Sequence, residues 1–173
     1  MPRKTPIHLV LKANRSCLRG GFRTYKRYFL IQKLLDRYSR RFFVKIEQVS
    51  IQHDHIHLLI RSSRRSRMQN FFRVVSGQIA QQLERAALLN LGPRKSSRKY
   101  VTDTPRRKAT PSSAGWRGLW RHRPFTRVVR GWKAYRTVRK YIELNEHEAM
   151  GRIFYQAKRL KGLSSAEWNL IWS

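Results

Sequence analysis

The chain predicts an α+β fold of the ferredoxin-like βαββαβ type, an antiparallel sheet with helices on one face, followed by a C-terminal helix. Three observations carry that prediction. Short strand-like runs and longer runs of helical spacing follow one another as strand, helix, strand, strand, helix, strand, helix. The two consecutive strands are joined by a connection too short for a crossover, which makes them antiparallel neighbours. At 173 residues the length suits one domain with a sizeable core.

Taken in order, Ile7-His8-Leu9-Val10-Leu11-Lys12 alternates as a first strand. Residues 13–21 hold turn formers, among them Asn14, Ser16, Gly20 and Gly21. Residues 22–38 read as an amphipathic helix with Tyr25, Tyr28, Phe29, Ile31, Leu34 and Leu35 as its apolar set. A β-rich second strand covers 42–50 and a third covers 53–60, with a polar break over 62–67. A second helix spans 66–91, marked by Met68, Phe71, Phe72, Val75, Ile79 and Leu83, and Gly92-Pro93 ends it. Residues 94–115 are rich in Lys, Arg, Ser, Thr and Pro and almost free of aliphatics, the composition of a basic loop weakly ordered without a partner. Residues 119–129 return to strand, interrupted at Pro124 as an edge or bulge would be. Gly131 opens a helix over 132–147. The expected organisation is a domain over 1–149 and a C-terminal helical tail over 150–173, with Trp168, Ile171 and Trp172 docking on the body.

Charge narrows the partner. There are 39 Lys+Arg against 9 Asp+Glu, a net charge of +30 and a pI near 11.7. Such a surface calls for a polyanion, and nucleic acid is the leading candidate because each phosphate contact releases counterions. An anionic membrane surface is the other. No apolar run approaches the roughly 20 residues of a membrane span, and the basic N-terminus lacks the apolar region of a signal peptide. Cys17 is the single cysteine, which excludes an internal disulfide and suits a reducing, cytoplasmic setting.

Two stretches carry chemistry. In an extended strand His53, His55 and His57 share one face, while Asp54, Ile56, Leu58 and Ile60 share the other. Imidazoles two residues apart can grip one metal ion, although a solvated polar face that happens to hold histidine is an equally simple reading. In the last helix Tyr141 and Asn145 are one turn apart on a common face, and Glu148 lies near it. A phenol and a carboxamide so placed can serve as nucleophile and oxygen ligand. They can equally be a core aromatic and a helix cap.

His55-Ile56-His57 followed by Leu58-Leu59-Ile60 resembles the HUH motif, in which U is a bulky apolar residue. Tyr141-Ile142-Glu143-Leu144-Asn145 resembles the Tyr-Ile-x-x-Asn helix of single-tyrosine HUH transposases, with REP-associated tyrosine transposases as the closest branch. Trp120-Arg121-His122-Arg123-Pro124-Phe125 is similar to their aromatic-basic strand, and the likeness spans about residues 7–147. It implies a metal-dependent DNA nickase and strand transferase. Tyr141 would be the nucleophile, and His55, His57 and Asn145 would hold Mg²⁺ or Mn²⁺, with Glu148 able to supplement or replace Asn145. The implied partner is single-stranded DNA with hairpin or palindromic structure, bound by a monomer or homodimer.

Phosphate contacts are expected from Arg3, Lys4, Lys12, Arg15, Arg94, Lys95, Arg98, Lys99, Arg106, Arg107, Arg121 and Arg123. His8 and His122 are assigned to structure or phosphate contact and His53 to solvent. The chain departs from the family pattern in carrying Glu146-His147 where relatives often have Pro-Val, and in the long basic stretch 94–115. The alternative function is a non-catalytic or domesticated nucleic-acid-binding protein of the same fold.

Overall fold

Two alternating strands must hide their apolar sides together, and this sets the centre of the sheet. In the computed structural model, which describes residues 5–18, 20–90 and 118–154, β1 (Ile7–Lys12) and β3 (His55–Ser62) lie antiparallel, with Leu9 opposite Leu58 and Leu11 opposite Ile56. β2 (Val44–Ile51) pairs with the free edge of β3, and β4 (Phe125–Val128) with the free edge of β1. The order β2-β3-β1-β4, antiparallel at every pair, is the expected ferredoxin-like arrangement. All four residues of β4 are exposed, and Pro124 immediately precedes it, as suits an edge strand.

Helices α1 (Tyr25–Arg41) and α2 (Arg65–Arg85) cover one face. Ile31, Leu34, Leu35 and Tyr38 from α1, and Met68, Phe71, Val75, Ile79 and Leu83 from α2, recur every three to four residues and are buried. They join Leu9, Leu11, Ile56, Leu58 and Ile60 in one core. Trp120 closes one end of it, its indole N–H donating to the Ser76 carbonyl at 2.9 Å.

Several boundaries differ from the sequence reading, each for a local reason. α1 starts at Tyr25 instead of 22, because Phe22 is fully buried in the core and Gly20 and Gly21 take left-handed backbone angles before it. β2 starts after Phe42 and Phe43, which end α1, with Phe43 at φ 52°. α2 stops at Arg85 instead of 91, because Ala87 is left-handed two residues on. β3 begins at His55, two residues later than expected, and runs on through Arg61 and Ser62. The basic stretch 94–115 and the tail from residue 155 lie outside the described residues.

The last helix, α3 (Trp132–Ala149), lies on the opposite face of the sheet from α1 and α2. Gly131 opens it at φ +83° with open space where a Cβ would stand, so glycine is needed there for its backbone angle. Ile142, Tyr135 and Val138 meet Leu59 of β3 and Val129, forming a second small apolar cluster. Arg61 stands over the Tyr135 ring at 5.1 Å. At the far end Glu146 clasps the sheet. One carboxylate oxygen accepts from Arg23 Nη1 at 3.0 Å and the other from the Ile51 N–H at 3.2 Å. The Gln52 amide donates to the Asn145 carbonyl one residue earlier.

Glu146→Ala removes both carboxylate bonds from a largely buried clasp. It should cost roughly 1–3 kcal/mol in chemical denaturation and accelerate amide exchange in α3 more than in α1. Equal exchange in both helices would show that Glu146 does not hold α3 in place.

Candidate active site

Strand alternation decides which side chains meet α3. Ile56, Leu58 and Ile60 point toward α1 and α2, so His55, His57 and Leu59 point the other way. The His55 and His57 rings are 4.8 Å apart, centre to centre, and nearly perpendicular at 84°. Tyr141 stands edge-on over His57, with ring centres 5.5 Å apart and planes at 87°. Asn145, one turn further along α3, is buried in the same stretch of helix, which Gln52 ties to β2. Gln52 also donates to Ser50 Oγ at 2.9 Å, and Ser50 pairs with His57.

His55 is oriented by a neighbour. Its Nδ1 lies 2.7 Å from Asp54 Oδ1, while Asp54 Oδ2 accepts from Arg15 Nε at 2.8 Å. An ionised carboxylate can only accept, so His55 Nδ1 carries the hydrogen, and in the neutral ring Nε2 has the lone pair. Burial alone would raise the Asp54 pKa, but hydrogen bonds from His55 and Arg15, with their charges, outweigh it and bring the pKa below the usual value. The sequence reading set Asp54 on the apolar face of a strand. Instead it occupies the bend before β3, its carbonyl accepting from the Ala13 N–H at 2.7 Å. Arg15, expected on phosphate, is bonded to Asp54. His53 precedes the strand and is exposed, so it does not share the histidine face, and a Cβ on Gly21 would collide with its ring.

His8 is the member that sequence reasoning did not place here. It lies on β1 opposite Leu59, with Nε2 3.1 Å from His57 Nδ1 and its ring 6.3 Å from that of Tyr141. Burial, and secondarily the charge of Arg127, push its pKa down. A signal was available: the β1–β3 pairing implied by the fold brings the histidine face of one strand beside position 8 of the other.

The donor set fits a divalent ion. Two imidazoles and a carboxamide oxygen are borderline and hard donors of the kind a divalent ion takes. Among the described residues no three His, Cys, Asp or Glu side chains are placed to hold one metal ion, and Glu148 is half-buried in the last turn of α3.

Cations rim the same face. Lys12 is exposed opposite His55, and Arg127 is exposed opposite His8. Arg121 is exposed and donates its backbone N–H to Lys12. Arg123 lies instead on a groove of about 970 Å³ at the α2 side of the sheet, together with Arg65 and Arg73. Arg3, Lys4, Arg94, Lys95, Arg98, Lys99, Arg106 and Arg107 lie outside the described residues. No described helix is long and apolar enough to cross a membrane.

Residues 4–91, just over half of the chain, match the family described as transposase IS200 like. That stretch contains His8, Asp54, His55 and His57 but not α3. Among solved structures the chain is similar to a candidate transposase from Deinococcus radiodurans R1, at 12% identity and a TM-score of 0.50, over 84% of this chain and 94% of that one. It is also similar to a REP-associated tyrosine transposase bound to a REP hairpin, at 13% identity and a TM-score of 0.55, over 87% of this chain and 70% of that one. At these identities the likeness is one of fold. No curated protein matches the chain.

The Asp54 geometry predicts an acid limb. Because its folded pKa is depressed, its stabilisation is fully present above the unfolded value of about 3.9 and is lost as pH falls through the folded value. Urea denaturation between about pH 5 and pH 2.5 should therefore fall less steeply for Asp54→Asn than for wild type. Parallel curves would contradict this.

Proposed function

The chain belongs to the IS200-like transposase family, and from that premise we propose that it is a single-strand DNA endonuclease and strand transferase acting on hairpin-forming DNA through Tyr141. The observation that carries this reading is the Tyr141 ring seated on His57, which joins the two halves of the chemistry within one chain.

In this reading His55 and His57, with Asn145, would hold Mg²⁺ or Mn²⁺, which would supply positive charge to polarise the scissile phosphate and offset the negative charge that grows as the bond exchanges. Tyr141 supplies the nucleophile. Its oxygen loses a proton to solvent and bonds to phosphorus, and the 3′ oxygen departs with its electron pair and takes up a proton. A 5′-phosphotyrosine link and a free 3′-hydroxyl result. The ester keeps the bond energy, so attack by another 3′-hydroxyl rejoins DNA without a nucleotide triphosphate. The site's own packing supports the positioning this needs, since Leu59, Val129 and Ile142 hold the tyrosine helix against the histidine strand.

The surroundings suit an unpaired strand. Lys12 and Arg127 flank the histidine face and Arg121 stands beside it, where phosphates can be tracked. Trp132 is exposed and stacked on Tyr135 at the start of α3, with ring centres 5.4 Å apart, and it offers a face to an unpaired base. A hairpin partner is the natural extension, because the REP-associated tyrosine transposase of the same fold is bound to a REP hairpin. The lone, buried Cys17 suits action in the cytoplasm.

With Mn²⁺ and hairpin-bearing single strands, wild type should form a covalent protein–DNA adduct and Tyr141→Phe none, with hairpin binding retained. An adduct that survives Tyr141→Phe rejects the nucleophile, and hairpin binding by a wild type that forms no adduct identifies a non-catalytic binder. His55→Ala with His57→Ala should weaken Mn²⁺ binding by more than about 10-fold in calorimetric titration. Unchanged affinity rejects the histidine site.

A further inference from the structure

We propose that His8 sets the tautomer of His57: its Nε2 accepts a hydrogen bond from His57 Nδ1–H, so that the lone pair of His57 is on Nε2 and available to an ion. This positioning role rests on the metal-dependent reading above and falls to a residue outside both motifs.

The geometry is that of an in-plane ring-to-ring bond. His8 Nε2 and His57 Nδ1 are 3.1 Å apart, the ring centres 5.3 Å apart, and the planes within 20° of each other. Ring N–H bonds and ring lone pairs both lie in the imidazole plane, so this arrangement directs one at the other. A neutral imidazole has one donor and one acceptor nitrogen, and a contact between two rings needs one of each. Two arrangements exist. If His57 accepts at Nδ1, its own hydrogen is on Nε2 and the ring cannot bind a metal there. If His57 donates from Nδ1, Nε2 is a ligand.

The neighbouring histidine points to the second arrangement. His55 Nδ1 faces Asp54 Oδ1 at 2.7 Å, and a carboxylate can only accept, so His55 offers Nε2. With His8 accepting, both rings offer Nε2 to an ion; with His8 donating, His57 has no lone pair left for one. Asp54 and His8 are then equivalent devices drawn from different elements, the bend before β3 and the neighbouring strand β1. His8 is buried, so water competes poorly for that lone pair.

The test reads the tautomer directly. In the metal-free full chain with ¹⁵N-labelled histidine, the ring nitrogen shifts should report His57 as Nδ1–H. His8→Phe keeps a ring but removes the acceptor. It should move His57 toward Nε2–H and weaken Mn²⁺ binding about 10- to 100-fold. His8→Gln, whose amide oxygen reaches the position of Nε2, should restore both. The proposal is overturned if wild-type His57 is already Nε2–H, if His8→Phe leaves tautomer and affinity unchanged, or if His8→Gln behaves like His8→Phe. Should His8→Phe fail to fold, the wild-type tautomer and the His8→Gln variant still decide. A wild type that shows Nδ1–H but binds no Mn²⁺ upholds the His8–His57 bond and rejects the metal reading instead.

Discussion

The contact on which everything else depends is that of α3 with the outer face of the sheet. A ferredoxin-like sheet covered by α1 and α2 leaves one face to solvent, and in this chain that face carries both polar and apolar side chains. Leu59 beside His57 provides the apolar foothold. Ile142, one residue after Tyr141, fills it, and Val129 closes the side. Burial of this cluster is worth a few kcal/mol at most by area, which is modest for an 18-residue helix. The clasp at Glu146 and the Gln52 bond to the Asn145 carbonyl therefore matter, because they fix the end of α3 that an apolar cluster near its middle cannot.

Covering a polar face with a helix has a consequence. His8, His57, Ser50 and Asn145 are all taken out of water, and buried polar groups are costly unless they bond to one another. The observed network follows from that demand: His8 to His57, Gln52 to Ser50, and Asp54 to His55 at its margin. The bonds that make burial tolerable also hold the two motif imidazoles in defined orientations, with the Tyr141 ring across one of them. Stability and chemistry draw on the same contacts. The cost of loosening one is expected to appear in the other.

The sheet was legible because its signal is local. The alternation of Ile7–Lys12 and of the histidine strand survives in the structure with shifts of no more than two residues. Helix boundaries were less legible where single residues intervene, such as Gly20 and Gly21 ahead of α1 or left-handed Ala87 after α2. Of the site, Tyr141 and the His55–His57 pair could be found by spacing, since both members of each comparison sit on one element. His8 and Asp54 could not, because their importance comes from register and from a bend, and neither is a property of a single run of sequence. Glu146 is the instructive case. In the sequence it stands as a departure from the family's Pro-Val, and in the structure it is the clasp.

If one chain supplies both the histidine strand and the tyrosine helix, damage to either half cannot be repaired by another copy. The direct measurement is to mix Tyr141→Phe with the His55→Ala, His57→Ala variant and to look for the covalent protein–DNA adduct with Mn²⁺ and a hairpin-bearing strand. A site built within one chain predicts no adduct from the mixture, while wild type gives one under the same conditions. Adduct formation by the mixture would mean that α3 serves a second copy of the chain, and would contradict a site formed by the sheet and its own last helix.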